Sequence, residues 1–273
     1  MIDSLLAWWS IAALAALSIA LLMRFNQQLS FGHALYVGLG AYAGIICMRL
    51  ADTTQLSVFI LLVPLAGVLA ALFAAIFIQR LLAAHTGMSY AMMTFGLGEL
   101  MHQAALALPL FGGESGLSAN RTAASLSLLA STTLVNGLSM GALVLVLFSW
   151  WRLERSELGF QARLVRDNAL RASSLGLSVI NLRWQIGLVS AAIAGLAGAL
   201  SAWQFEIASP EAFSARRSGE WLIAALMLGN HWPQVLAGAA ILAFFAVVVA
   251  QWTAWWPGLY ALLFVGLLFW KKK

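Results

Sequence analysis

The chain has 273 residues, of which 62% are hydrophobic and only 9% are charged, with a formal net charge of +5. A soluble domain carries about 25% charged residues, so this composition excludes a soluble globule, and the high apolar content excludes a disordered chain. The single Cys47 excludes a disulfide scaffold. The remaining class is a polytopic membrane protein.

Long apolar runs predict transmembrane helices, since a helix needs about 20 apolar residues to cross the bilayer core. We therefore expect an all-α transmembrane bundle of about 8–10 spans in one transmembrane domain, residues 1–273. The runs are 5–23, 34–50, 57–78, 89–111, 132–151, 184–204, 219–229, 235–252 and 257–270. The seventh run is short and reaches full length only if it begins near Ala212.

Basic residues predict the orientation of the bundle. The loop 152–183 carries six arginines and three acids, and such loops stay in the cytoplasm. Counting spans backwards places the N-terminus outside and the segments around Arg24 and Arg80 inside. The terminal lysines 271–273 fall inside if the seventh run crosses, which we favour, and outside if it is re-entrant.

The 152–183 loop is about 32 residues long, whereas helix connections usually take roughly 2–8 residues. Leucines and valines recur among its arginines, and Gly176 follows as a helix stop. The pattern predicts an amphipathic cytoplasmic helix, a turn and a second helix start. Such a helix either lies on anionic lipid or docks onto a cytosolic partner.

Four regions carry motifs beyond plain hydropathy. The segment 155–202 joins the Arg-rich loop to a helix with small residues, 29–42 ends in Gly-Ala-Tyr, 90–117 holds the fourth span and a glycine loop, and 210–220 precedes the short seventh span. The motif positions in the first are Ser156, Gly159, Arg163, Arg166, Asn168, Gly176, Ala194, Gly195, Ala197 and Gly198. These four regions resemble the permeases of the branched-chain amino acid type of bacterial ATP-binding cassette (ABC) importers.

The resemblance implies a multi-pass permease of the bacterial inner membrane that moves a small polar solute, such as branched-chain amino acids, amides or urea. It implies a second homologous permease subunit, which suggests a heterodimer, together with two cytosolic ATPases and an extracytoplasmic solute-binding protein. In this family the loop couples to the ATPases, which assigns that role here to Gly159, Arg163, Arg166, Asn168 and Gly176. Gly159 and Gly176 are expected to permit tight turns at the two ends of the docking helix.

This chain is expected to be a transport subunit, without an enzymatic activity or a cofactor of its own. A phosphate-binding loop needs Gly-x-x-x-x-Gly-Lys-Ser/Thr, and the only lysines are residues 271–273. ATP is therefore expected on the partner subunits.

The sequence also departs from the family pattern. Gln27-Gln28 stands where the family usually has glycine, and 228–233 reads Leu-Gly-Asn-His-Trp-Pro in place of a Gly-Gly-x-Gly run. Both departures fall beside the expected substrate path, so they bear on the substrate more than on the fold.

Small residues form two helix faces. Small faces let membrane helices approach closely, which predicts packing roles for Gly38, Gly40, Gly44, Gly195 and Gly198.

Polar residues at membrane depth indicate a path, because each is costly there and tends to be functional. Glu99 is the only carboxylate in a predicted span of full length, and 26–28 precede the second span on a stretch that we expect to be unwound. Alternatively, Glu99 pairs with His102 one turn away and stabilises the bundle. The candidate path residues are Asn26, Ser30, His33, Tyr90, Thr94 and Glu99.

Two other classes of protein fit less well. Glu99 and His102 form a Glu-x-x-His pair like those of di-metal bundles, but a metalloenzyme needs that motif twice, and the other histidines are scattered. An ion-coupled secondary transporter would normally carry acidic residues in several spans. We therefore predict no metal site and no catalytic residues.

Overall fold

The computed structural model describes residues 2–54, 58–119 and 132–271, and these form a helical bundle. The helices are α1 (Ile2–Asn26), α2 (Ala34–Thr54), α3 (Val58–Leu61), α4 (Val63–Leu82), α5 (Gly87–Ala107), α6 (Thr132–Arg155), α7 (Glu157–Asp167), α8 (Ala169–Ser174), α9 (Val179–Phe205), α10 (Ala215–Leu226), α11 (Trp232–Val247) and α12 (Trp256–Lys271). Two short strands, β1 (Leu117–Ser118) and β2 (Ile207–Ala208), pair antiparallel.

Six helices of the described residues are long and apolar enough to span a membrane: α1, α2, α4, α6, α9 and α11. The prediction of an all-α polytopic bundle is confirmed. Three other predicted spans form helices that are too short or too polar to meet the same criteria. α5 has 21 residues but is more polar, α10 has only 12, and α12 has 16.

Local sequence explains where several helices begin. Pro64 and Pro233 lie in the first turns of α4 and α11, where the missing N–H costs nothing. The side chains of Ser156, Asn168 and Ser214 accept a backbone N–H at the starts of α7, α8 and α10. Such N-caps each contribute about 1 kcal/mol.

The centre of the bundle is the meeting of α2, α4 and α9. A Cβ on Gly198 would collide with the Val37 carbonyl, one on Gly40 with Gly195, and one on Gly195 with Gly67. Because backbones touch directly here, only glycine fits. Gly38 lies against the ring of Phe213, and a Cβ on Gly44 would come within 3.3 Å of the Ala199 Cα, closer than an ordinary contact. All five glycines assigned to packing thus lie at helix contacts, and Gly67 joins them.

The two ends of the bundle differ in chemistry. At one end, which we call the basic end, Arg24 pairs with Glu154 at 2.7 Å, and Arg80 donates to Asn181 at 2.6 Å. α7 and α8 also lie at the basic end. At the opposite end, Arg49 donates to the Ser118 carbonyl in β1.

The chain crosses between these ends in the segment that contains α10. Ala208 pairs with Leu117 at the opposite end, and the His231 ring Nε2 lies 3.3 Å from Arg24 Nη1 at the basic end. The turn Pro210–Phe213 dips against α2, where Phe213 stacks on Tyr42. Although α10 itself is short, the chain passes from one end of the bundle to the other in this segment. This geometry corresponds to the alternative in which the seventh run crosses the membrane. Lys272 and Lys273 lie outside the described residues.

Candidate functional site

The chain is unwound between α1 and α2, as the polar run 26–28 predicts. Gln27 adopts a left-handed φ of 52°, which ends α1. Asn26 Nδ2 donates to Gln28 at 2.9 Å and to the Arg183 carbonyl at 3.0 Å, and Gln28 Nε2 donates to the His85 carbonyl at 2.9 Å. Buried amides thus replace the helical hydrogen bonds that this stretch lacks.

His33 ends the unwound stretch and is fully buried. Its Nε2 lies 2.8 Å from the Ser18 hydroxyl. The Ser18 hydroxyl lies 2.6 Å from the Ala15 carbonyl, and the Ser190 hydroxyl lies 2.6 Å from the Ser18 carbonyl. Because both hydroxyl protons are used on carbonyls, the Nε2 atom carries the imidazole proton and donates to Ser18. The Nδ1 atom has no hydrogen-bond partner among the described residues.

The unwound stretch packs directly on α5. The Phe31 N–H donates to the Thr94 hydroxyl at 3.2 Å. Gly32 touches the Thr94 carbonyl, and a Cβ on Gly98 would come within 3.0 Å of the Gly32 Cα. Ser30 is also buried, and its hydroxyl has no hydrogen-bond partner among the described residues. Thr94 therefore holds the stretch against α5.

A buried glutamine next to this site was missed by the sequence reasoning. Gln79 Nε2 donates to the Tyr36 hydroxyl at 3.1 Å, and the Tyr90 hydroxyl donates to Gln79 Oε1 at 3.2 Å. The edge of the Tyr36 ring faces His33, with the ring centroids 5.6 Å apart. The sequence did contain a signal for Gln79, because a polar glutamine stands next to Arg80 at the end of an apolar span.

Glu99 lies apart from the other candidate path residues. Its side chain is 40% exposed, accepts from Gln103 at 2.8 Å, and lies 3.9 Å from His102. Asn26, Ser30, His33, Tyr90 and Thr94 are all buried. The structure thus brings five of the six candidates around the unwound stretch and leaves Glu99 on the outer face of α5. The described residues contain no group of three His, Cys, Asp or Glu that could hold a metal ion.

The loop arginines bind within the chain. Arg163 Nη1 donates to the Glu154 carbonyl at 2.9 Å, and Arg166 Nη1 donates to the Arg24 carbonyl at 2.9 Å. Both carbonyls lie in the last turns of helices, where unpaired acceptors attract guanidinium groups. Arg166 also pairs with Asp167 at 2.7 Å. These contacts fix α7 against the ends of α1 and α6.

The other three loop residues have distinct roles. Gly159 lies inside α7, where a Cβ would collide with the Leu153 carbonyl, so it permits close packing and does not form the tight turn that we expected. Asn168 caps α8 by accepting the Arg171 N–H at 2.9 Å. Gly176 has φ 82° and does form a turn, which glycine favours.

The most exposed apolar side chains of this loop lie on and after α8. Leu170 is 81% exposed and Leu175 is 69% exposed, and we call these two leucines the exposed face. Phe160 on α7 is 56% exposed as well.

A cavity of about 220 Å³ opens between α1, α10 and α11 toward the opposite end. Its walls are mostly apolar, and Glu220 and Arg217 of α10 line it. Arg217 Nη1 lies 3.3 Å from Glu220 Oε2. The sequence analysis did not single out this pair, although the Arg-Arg-x-x-Glu spacing places the charges one helical turn apart.

Comparison with known proteins gives one family. A search of curated proteins and a search of solved structures found no match. The family model described as the permease component of branched-chain amino acid transport systems matches residues 1–270. This match covers the unwound stretch, the loop α7–α8 and the charged cavity. The chain is therefore a multi-pass membrane protein that belongs to the branched-chain amino acid transport permease family.

Proposed function

We propose that this chain is one membrane subunit of an ABC importer in the bacterial inner membrane. It moves a small polar solute, a branched-chain amino acid or a related amino acid or amide, into the cell. Two separate cytosolic ATPases supply the energy, and an extracytoplasmic binding protein delivers the solute. Family membership supports the proposal, as does the absence of a phosphate-binding loop from the sequence.

The observation that carries this proposal is the arrangement of α7 and α8. Arg163 and Arg166 tie α7 to the ends of two spanning helices, so a force on the loop reaches the bundle through hydrogen bonds to charged groups, the stronger kind. The basic end is cytoplasmic by its arginines. We assign the contact with the ATPase to Leu170 and Leu175 of the exposed face.

A second permease subunit explains the outer face of α5. Met92, Phe95 and Leu100 are exposed there beside Glu99. α5 begins near the basic end, where Gln28 binds the His85 carbonyl, and the turn after it reaches Tyr42. A carboxylate midway along such a helix would be costly in lipid. We infer that a homologous subunit covers this face.

We place the substrate path between the two subunits, along this face of α5. Glu99 lines it directly. Thr94 and Tyr90 lie about one and a half and two and a half turns away on the same helix, and Asn26, Ser30 and His33 support the unwound stretch behind them. Because side-chain bonds hold that stretch, it can rearrange without breaking a helix. Through this rearrangement of the unwound stretch, the five buried residues take part in transport.

Co-purification tests the coupling surface. The tagged chain is expressed with the ATPase subunits of a branched-chain amino acid importer from the same genome, and the bound ATPase is measured after solubilisation. Leu170→Glu and Leu175→Glu should each reduce bound ATPase while the chain still inserts. The control is Leu110→Glu, which alters a leucine that is 76% exposed in the turn after α5, near the opposite end.

Unchanged ATPase binding by both loop variants would contradict the assignment of the contact surface. Failure of the wild-type chain to retain any ATPase would contradict the proposed function itself. A purified chain that transports solute without ATPases would favour an ion-coupled transporter.

A further inference from the structure

We propose that the cavity between α1, α10 and α11 is a binding site for a small zwitterion with an apolar body, held by its ammonium group on Glu220. The inference rests on the proposed function, since it assigns an amino acid site within this one subunit. The site is separate from the path along α5.

Glu220 supplies the first argument, because one of its oxygens accepts no hydrogen bond from the described residues and has only a distant ion pair. The residue is only 5% exposed. Its Oε2 lies 3.3 Å from Arg217 Nη1, whereas its Oε1 lies 3.6 Å from Arg216 Nη1. Among the described residues no donor lies within hydrogen-bond distance of Oε1. A buried carboxylate oxygen that accepts no hydrogen bond favours a ligand that donates one.

The charges around Glu220 supply the second argument. Arg216 also binds Glu211 at 2.8 Å, so two guanidinium groups and two carboxylates form one cluster of zero net charge. A simple cation or anion would leave the site charged, whereas a zwitterion keeps it neutral. The ammonium group meets Glu220, and the carboxylate faces Arg217, which also lines the cavity.

The walls supply the third argument, because they define the rest of the ligand. Trp8, Trp221 and Trp256 line the cavity with aliphatic residues of α1, α2 and α11. The Arg217 guanidinium lies 5.6 Å from the centroid of the Trp8 ring, which fixes it over an aromatic face. The volume of about 220 Å³ is below the roughly 300–1,000 Å³ of sites for drug-sized ligands, so the site suits a molecule the size of an amino acid.

Equilibrium binding of radiolabelled L-leucine to the full chain in lipid nanodiscs tests the site. Two analogues compete: 3-methylbutylamine, which lacks the carboxylate, and 4-methylpentanoic acid, which lacks the ammonium group. We expect saturable binding of leucine, and competition by either analogue that is about tenfold weaker or more than competition by unlabelled leucine, as loss of a charge-assisted hydrogen bond implies. Competition by either analogue as strong as that by unlabelled leucine, or no saturable binding, would overturn the proposal.

Variants locate the site. Glu220→Gln should weaken leucine binding about tenfold or more, whereas Glu114→Gln, in the turn Gly113–Ser115 outside the cavity, should not change it. Ala246→Phe fills the cavity wall without changing a charge and should abolish binding, so it decides the question if Glu220→Gln fails to fold. Wild-type binding by Ala246→Phe, or by folded Glu220→Gln, would overturn the site. Loss of the site with retained ATPase binding would leave the proposed function intact.

Discussion

Gly198→Ala should destabilise the bundle, although alanine is the better helix former. The new Cβ would collide with the Val37 carbonyl and approach the Ala41 nitrogen at 2.9 Å. Both are backbone atoms, so α2 and α9 must separate. Overpacking typically costs about 1–3 kcal/mol, and the upper part of this range applies because no side chain can yield. Against it stands a gain of about 1 kcal/mol in helix propensity, which leaves a net loss of about 2 kcal/mol.

Gly141→Ala on α6 is the matched control, because a Cβ at Gly141 has no neighbour within 4 Å. This variant keeps only the propensity gain of about 1 kcal/mol. The two variants should therefore differ by about 3 kcal/mol in the free energy of unfolding. Reversible unfolding in mixed detergent micelles measures both. Equal stabilities, or a more stable Gly198→Ala variant, would refute the backbone contact between α2 and α9.

Three further predictions concern the buried glutamine and the loop. Gln79→Leu leaves the Tyr36 and Tyr90 hydroxyls without their shared partner, so unfolding should become easier by about 1–3 kcal/mol; an unchanged unfolding midpoint would contradict the network. Arg166→Gln frees the Arg24 carbonyl and should speed proteolysis within 156–176, whereas exposed Arg171→Gln should not. Ser173→Cys in a Cys47→Ala background should resist an impermeant thiol reagent in intact cells, and labelling from outside would invert the topology.

The spanning helices and their close packing were predictable, because composition and small residues at helical spacing act locally. The same holds for the unwound stretch, where three consecutive polar residues cannot continue an apolar helix at low cost. Gln79 was missed because one polar side chain in an apolar span has no meaning until the partners on α2 and α5 are known.

The roles of the loop arginines were not predictable from sequence. Six arginines indicate a cytoplasmic loop, but they do not indicate whether Arg163 faces a partner or a helix end of its own chain. α6 ends two residues before α7 begins, but only the fold brings the last turn of α1 beside α7. Similarly, the prediction of a turn at Gly159 was wrong. Glycine is required there because a Cβ would collide with the Leu153 carbonyl, and not because the local backbone turns.

Glu220 illustrates a further limit of sequence reasoning. Glu220 also lies in a predicted span, the short run 219–229, but only Glu99 was predicted as a carboxylate at membrane depth. In the structure Glu220 is the more deeply buried of the two, with a side-chain exposure of 6% against 40% for Glu99. The dip of Pro210–Phe213 into the bundle places α10 there, and neither hydropathy nor motif spacing encodes that dip.

Uptake of L-leucine into proteoliposomes tests the central claim most directly. The chain is reconstituted with the second permease subunit and the ATPases of the proposed importer, with ATP on the ATPase side and the binding protein on the other. The account predicts leucine uptake that requires ATP and that stops when the ATPases are omitted. Accumulation of leucine by this chain alone, driven by an ion gradient without ATP, would contradict it.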